Sequence, residues 1–213
     1  LYLIYLVLTL LQIIILIIGK MPVFDAITLS FGTAGTGGFG IVNSSVADYS
    51  PFVQNTITVF MILFGVNFNL FYLILLGHVK DALKSEELRW YLIIVALCTA
   101  GIGISIFSAI GNVESTFRIS FFQVASIITT TGYATTDFDL WPEFSKAILL
   151  LLMFMGACAG STGGGLKVSR VVILGQMIWA EIRRMVHPRA VSVVRYEGKV
   201  IDKETQTGTA TYF

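Results

Sequence analysis

The stretch GTAGTGGFG, Gly32–Gly40, places five glycines among nine residues. Its second part, Gly35-x-Gly37-x-x-Gly40, matches the glycine spacing of a dinucleotide-binding loop. Such a loop follows a strand, opens a helix and is followed by an acidic residue about 20 positions further on. Here the glycines follow a helical pattern, and the residues near position 60 are apolar. A related stretch, ITTTGYATT at 128–136, lacks the spacing altogether. We therefore exclude a nucleotide loop.

Composition indicates a membrane protein. The 213 residues are 55% hydrophobic and 13% charged, with a mean hydropathy of +0.82, whereas soluble domains are about 45–50% apolar and about 25% charged. The net charge of +1 offers no electrostatic basis for binding nucleic acid. Leu1–Ile18 carries no charge and has no basic segment before it, which disfavours a cleaved signal peptide. Cys98 and Cys158 lie in apolar runs and are expected to be small buried side chains.

The apolar runs have two length classes. Four are long enough to cross a bilayer, which takes about 20 helical residues: Leu1–Ile18, Phe52–Gly77, Trp90–Ile110 and Phe144–Ala180. Two others, Pro22–Thr33 and Ser115–Ile128, are too short to cross and are predicted to be re-entrant helices. Pro22 suits a first helical turn, and Ser115 or Thr116 suits an N-cap.

Basic residues predict the orientation. The linker His78–Arg89 and the tail from Lys167 onward hold 11 of the 14 Lys and Arg residues. Basic loops stay on the cytoplasmic side. The linker and tail are therefore expected in the cytoplasm, and the Gly/Thr stretches are expected to face outside.

The sequence contains an internal repeat. A shift of 94 places Thr36–Gly40 on Thr130–Ala134, and a shift of 91 places Pro51 on Pro142. Each unit is predicted as helix, re-entrant helix, Gly/Thr stretch and helix. We expect an all-α membrane protein with pore repeats at 1–80 and 90–185, a cytoplasmic linker at 81–89, and a cytoplasmic segment at 186–213 that leads to a further repeat.

The two copies share the pattern T-x-G-[FY]-[GA], which is close to the T-V-G-Y-G filter of potassium channels. Rings of backbone carbonyls can replace the water shell of a monovalent cation, and glycine reaches the φ values that turn successive carbonyls to one axis. The aromatic residue can pack behind the filter and brace it. The alternative is that the glycines only allow close helix packing. The predicted filter residues are Thr36, Gly37, Gly38, Phe39, Thr130, Thr131, Gly132 and Tyr133.

The last apolar run is predicted to be broken. Phe144–Ala180 would be roughly 55 Å long if wholly helical, which exceeds a bilayer crossing. GACAGSTGGG, Gly156–Gly165, contains five glycines, and each costs about 1 kcal/mol inside a helix. The segment is therefore expected to be unwound within the membrane, or else to be a cytoplasmic loop between two helices. Lys167 and Arg170 follow it and either hold the loop or reach toward the cytoplasmic face.

These motifs resemble the Trk/Ktr/HKT superfamily of potassium transporters, and most of all the pore subunits of bacterial Trk-type uptake systems. The resemblance rests on Gly35–Gly40, on Thr129–Thr135 followed by Asp139–Pro142, and on Gly156–Lys167 running to Arg183–Pro188. That family builds one pore from four units in one polypeptide. This chain resembles the second and third units, so we expect a fragment of a longer protein.

The resemblance implies potassium transport across the plasma membrane, the bacterial inner membrane, by a multi-pass protein that is not an enzyme. It implies a homodimer among membrane lipid, a cytoplasmic nucleotide-binding regulatory subunit, and no cofactor in this chain apart from the permeant ion. It also implies a gating loop below the filter, formed by Gly156, Gly160, Ser161, Thr162, Gly163, Gly164 and Gly165 with Lys167 and Arg170. Two alternatives stay open: a sodium-selective or sodium-coupled transporter of the same superfamily, and a membrane receptor or enzyme with a glycine-rich ligand loop.

Overall fold

The structure is a computed structural model that describes residues 2–187 and 193–212. Helices make up most of it. They are α1 (Tyr2–Ile18), α2 (Val23–Ala34), α3 (Pro51–Phe64), α4 (Phe68–Leu75), α5 (Val79–Leu83), α6 (Glu86–Ile110), α7 (Val113–Ile128), α8 (Glu143–Phe154), α9 (Val168–Val186) and α10 (Lys203–Tyr212). A short 3-10 turn at Phe138–Leu140 and a two-stranded antiparallel hairpin, β1 (Arg195–Tyr196) and β2 (Lys199–Val200), complete the described elements.

The first unit packs α2 against α1 and α3. Helix α2 begins directly after Pro22, whose fixed φ suits a helix start. Gln12 is fully buried and donates from Nε2 to Thr33 Oγ1 at 3.0 Å, which links α1 to α2. At 12 residues, α2 is about 18 Å long and cannot cross a bilayer of about 30 Å.

The run Phe52–Gly77, expected to cross the bilayer, is not one continuous helix. Helices α3 and α4 meet at an angle of 91°. Gly65 ends α3, and the Asn67 side chain caps α4 by accepting from the Asn69 N–H at 2.9 Å. The local sequence offers only one glycine at this point, so the bend depends on contacts with another part of the chain, described below.

The second unit repeats the order of the first, with α6, α7 and then α8 followed by α9. Helix α6 begins at Glu86, inside the predicted linker 81–89, because Ser85 Oγ accepts from the Leu88 N–H. Helix α7 is capped by Asn112, which accepts from the Glu114 N–H at 3.0 Å. The predicted cap at Ser115 or Thr116 is therefore wrong. Asn is among the best N-cap residues, and it comes first along the chain.

The last apolar run is divided, as its glycine content predicts. Helix α8 ends at Phe154 and α9 begins at Val168. The segment between them, residues 155–167, is called the intramembrane loop below, after the place that the sequence predicts for it. Its two ends lie side by side, because the Gly156 N–H donates to the Leu166 carbonyl at 2.5 Å.

The buried residues join the two units. One cluster contains Tyr133 and Phe122 of the second unit together with Leu29, Ile57 and Met61 of the first. By length and hydropathy, α6 is the one described helix that can cross a membrane unaided, and α3 with α4 passes the same test as a bent pair.

The predicted cytoplasmic segment 186–213 contains the hairpin and α10. Arg184 pairs with Glu181 at 3.5 Å on α9, and α9 ends at Val186. Pro188, part of the motif Arg183–Pro188, lies outside the described residues.

Candidate functional site

The two Gly/Thr stretches follow the C-terminal ends of the short helices α2 and α7. The backbone bonds at these ends match at the shift of 94. The N–H groups of Gly35, Thr36 and Gly37 donate to the carbonyls of Phe31, Thr33 and Gly32, and those of Thr129, Thr130 and Thr131 donate to the equivalent carbonyls. Both helices therefore direct the negative ends of their dipoles toward the stretches that follow.

The two stretches also share an unusual backbone. Thr36 and Thr130 have φ of 50° and 56°, and Gly38 and Gly132 have φ of 67° and 92°. The residues between them, Gly37 and Thr131, do not have positive φ. Positive φ in a β-branched residue is a true outlier. Two such outliers at equivalent positions show that both stretches adopt the same strained form.

The stretches touch each other at these residues. A Cβ on Gly38 would lie 2.1 Å from the Thr131 carbonyl oxygen, and one on Gly132 would lie 3.8 Å from the Gly38 Cα. This contact brings the first four predicted filter residues against the second four.

The aromatic residues of the two stretches differ. Tyr133 is fully buried and its hydroxyl donates to the Leu29 carbonyl at 3.1 Å. It packs against Gly32, where a Cβ would lie 2.1 Å from the hydroxyl oxygen. Phe39, at the equivalent position, is 82% exposed. The expectation that the aromatic residue packs behind its stretch therefore holds for Tyr133, which packs against α2 of the first unit. It does not hold for Phe39, because none of the described elements lies at the equivalent place beside it.

The loop 41–50, which is predicted to face outside, packs on the second stretch. The Val46 N–H donates to the Ala134 carbonyl at 3.0 Å, and Ser45 Oγ accepts from the Ala134 N–H at 3.2 Å. Tyr49 in this loop donates to Asp25 at 2.9 Å. Burial, reinforced by that hydrogen bond and the nearby carboxylates, raises the pKa of Tyr49 to about 12.

The intramembrane loop contacts both stretches through their threonines. Thr36 Oγ1 donates to the Thr162 carbonyl at 3.4 Å, and Thr130 Oγ1 accepts from the Gly164 N–H at 2.7 Å. Gly163 lies beside the Thr129 carbonyl, 3.2 Å from where its Cβ would be. The loop therefore lies directly against the threonine ends of both stretches.

The loop also fills the break between α3 and α4. The N–H groups of Cys158 and Thr162 donate to the carbonyls of Gly65 and Phe64 at 3.0 and 3.2 Å. In return, the Phe68 N–H donates to the Gly160 carbonyl at 3.0 Å. Both helix breaks leave backbone N–H and carbonyl groups without partners inside a helix. These bonds satisfy such groups, which need a partner wherever water cannot reach them.

Two basic residues follow the loop. Lys167 Nζ donates to the Gly163 carbonyl across the loop. Arg170 lies on the first turn of α9. Ser161 Oγ donates to the Cys158 carbonyl at 2.6 Å and closes a tight turn.

One feature near the loop was missed by sequence reasoning. Glu87 is buried at 5% exposure, and its carboxylate accepts from the Ala159 N–H at 2.6 Å. The helix break at Gly65–Asn67, by contrast, lies in Gly65–Asn69, the weaker polar counterpart of Gly156–Gly165 in the internal repeat. The pair Glu86–Glu87 resembles ordinary first-turn acids, and only its place on the buried face of α6 could have marked Glu87.

Comparisons with known proteins agree with this architecture. Residues 1–207 match the family model TrkH, described as a cation transport protein. The Trk system potassium uptake protein TrkH of Salmonella typhimurium is 36% identical over 94% of this chain and 42% of its own length. The Escherichia coli protein of the same name is 34% identical over the same shares.

A solved structure has the same fold. The potassium transporter TrkH from Vibrio parahaemolyticus superposes with a TM-score of 0.94 at 32% identity, over 100% of this chain and 47% of that one. The chain thus spans less than half the length of these relatives. They are membrane transport proteins, not enzymes. The chain belongs to the TrkH family of cation transport proteins.

Proposed function

We propose that the protein of which this chain is part transports potassium through a pore lined by the two Gly/Thr stretches. The observation that carries the proposal is the paired backbone strain at Thr36 and Thr130. Holding a residue in such a conformation costs about 1–3 kcal/mol. The same strain at the same position in both units indicates a shared task for the carbonyls.

The backbone supplies a physical route to cation binding. Alternating positive and negative φ, from Thr36 to Gly38 and from Thr130 to Gly132, turns successive carbonyls toward one side of the chain. In an extended strand, successive carbonyls would point to alternate sides of the chain. A row of carbonyl oxygens on one side can replace the water around a monovalent cation. The C-terminal dipoles of α2 and α7 add negative potential at the same place.

The choice of potassium is supported by the relatives, whose names describe potassium uptake. A sodium-selective or sodium-coupled transporter of the same superfamily is the alternative. A receptor or enzyme with a glycine-rich ligand loop has no support from these relatives.

We propose that the intramembrane loop is the gate. It contacts the threonine end of both stretches, and its five glycines have no side chain to pack, although Ala157 and Cys158 are buried in the core. A segment of this kind can have closed and open arrangements that differ by only a few kcal/mol. Lys167 favours the arrangement seen here by binding the Gly163 carbonyl. The role of Arg170 is proposed only from the family resemblance.

The remaining parts of the proposal concern the whole protein. We propose a multi-pass location in the plasma membrane, the bacterial inner membrane, assembly as a homodimer, and a cytoplasmic nucleotide-binding regulatory subunit. The relatives are named as proteins of a Trk system, which supports the presence of further subunits.

The test is cation flux through the full-length protein in liposomes, with rubidium as the potassium tracer. Deleting Gly160–Gly164 should raise flux and leave the preference over sodium nearly unchanged. Lys167→Gln should act in the same direction but more weakly, because it removes one hydrogen bond and leaves the loop in place. If the deletion changes ion preference and not rate, the loop supports the filter and is not a gate. Sodium flux that exceeds rubidium flux in the unaltered protein would favour the sodium alternative.

A further inference from the structure

The buried carboxylate of Glu87 holds the middle of the intramembrane loop. Glu87 lies on the first turn of α6 and accepts the Ala159 N–H at 2.6 Å. Ala159 lies between Cys158 and Gly160, which bind the α3–α4 break. At Cys158–Gly160 the loop is therefore bound by backbone groups of the first unit and by this carboxylate of the second.

The cytoplasmic hairpin binds the same turn of α6. Glu197 and Gly198 form its two-residue turn, with φ of 50° and 74°, as in type I′ hairpins. The Glu197 carboxylate accepts from Ser85 Oγ at 2.8 Å and from the Glu87 N–H at 3.2 Å. The Glu197 N–H donates in turn to Glu86 at 3.1 Å.

Glu87 therefore connects two distant segments. Its backbone N–H is bound by the hairpin, and its side chain binds the loop. A cavity of about 500 Å³ separates the hairpin from the loop, and its lining includes Glu87, Ala159 and Glu197. Both segments therefore contact the first turn of α6.

We propose that Glu87 is a positioning residue for the intramembrane loop and that Glu197 couples the hairpin to it. The inference rests on the proposed gate and names its regulation. A partner that draws the hairpin away from α6 removes the acceptor for Ser85 and for the Glu87 N–H. The first turn of α6 then keeps the Ser85 cap on the Leu88 N–H but leaves the Glu87 N–H without its acceptor, as at other helix starts, and the Glu87 side chain is held less firmly. Release of Ala159 frees the loop on the side that faces the cavity.

Cys158 offers a local readout, because it is fully buried and adjacent to Ala159. The experiment measures the rate at which a thiol reagent, added from the cytoplasmic side, modifies Cys158 in the full-length protein. Cys98 and any cysteine outside this chain are replaced beforehand. Glu87→Ala should raise the rate at least about tenfold, since a hydrogen bond to a charged acceptor is lost. Glu87→Gln should stay close to the unaltered protein, because its amide oxygen can still accept from Ala159.

Three further variants separate positioning from general damage. Ala159→Pro removes the donor of the same hydrogen bond, so combining it with Glu87→Ala should add little beyond either change alone. Glu197→Ala should raise the rate less than Glu87→Ala does. Lys199→Ala, an exposed residue of the same hairpin, should leave the rate unchanged and is the matched control.

The outcomes distinguish this inference from the gate itself. Unchanged modification of Cys158 in both Glu87→Ala and Ala159→Pro overturns the positioning role, even if deletion of the loop raises flux. Equal effects of Glu197→Ala and Lys199→Ala overturn the coupling to the hairpin. Faster modification of Cys158 with unaltered rubidium flux supports the positioning role and refutes the gate.

Discussion

At the scale of single residues, backbone strain and close contact define the site. Thr36 and Thr130 adopt positive φ although each has a branched Cβ, and Gly38 lies so close to Thr131 that a side chain cannot fit. The sequence predicted which residues belong to the two stretches, because glycine marks backbone freedom. It could not predict that Tyr133 is buried while Phe39 is exposed, since that difference depends on which helix lies behind each stretch.

Substitution of Gly38 is expected to weaken ion preference more than substitution of Gly37. In Gly38→Ala, the left-handed conformation costs about 1–2 kcal/mol, and the new Cβ would meet the Thr131 carbonyl oxygen at 2.1 Å. In Gly37→Ala, which has no positive φ, the nearest atom is a Phe39 side-chain carbon at 3.4 Å. Competition between rubidium and sodium for uptake by the full-length protein measures the effect. Equal selectivity in both variants would contradict the filter assignment.

Gly32→Ala should displace Tyr133 and destabilise the protein by about 2 kcal/mol or more, because overpacking of a filled core costs about 1–3 kcal/mol. The added Cβ would lie 2.1 Å from the tyrosine hydroxyl. Tyr133→Phe removes only the hydrogen bond to Leu29 and should cost about 1 kcal/mol. Combining it with Gly32→Ala should recover part of the loss. Thermal unfolding in detergent tests this order, and a double variant no more stable than Gly32→Ala alone would show that the contact with the hydroxyl is not the cause.

At the scale of elements, two broken helices complete each other. The break after α3 exposes backbone groups that the intramembrane loop satisfies, and the loop in turn depends on that break for its own groups. The glycine-rich break was predictable, because five glycines oppose a helix locally. The other is marked only weakly, by the polar stretch Gly65–Asn69, and its bend was not predictable, since its partner Thr162 lies 98 positions away from Phe64.

Asn67→Ala should destabilise the start of α4 by about 1 kcal/mol, the usual effect of removing an N-cap. The lost interaction is the hydrogen bond from the Asn69 N–H to the Asn67 side chain at 2.9 Å. Asn69→Ala is the matched control, because it removes an exposed amide and leaves that N–H in place. Urea or thermal unfolding compares the two, and an equal loss of stability in both would argue against the cap.

At the scale of the whole molecule, the two units are joined through buried contacts and have an orientation that charge predicts. Cysteines at Asn43 and Asp139 should react with an impermeant thiol reagent from outside the cell, and cysteines at Lys84 and Lys199 should not. All four positions are exposed, so burial cannot explain a difference between them. A cysteine at Ser85 would not report the orientation of the linker, because Ser85 is buried and bound to Glu197. Modification at Lys84 and Lys199 alone would invert the proposed orientation.

The sequence by itself determined what short-range physics controls. Hydropathy and length separated long apolar runs from short ones, glycine marked the two stretches and the loop, and the shift of 94 revealed their common register. The tertiary structure alone decided the 91° bend at Gly65–Asn67, the separate environments of Tyr133 and Phe39, and the bond from Glu87 to Ala159. Each of these depends on a partner distant along the chain. Local propensity and hydropathy carry no information about which backbone group or side chain a fold brings into contact.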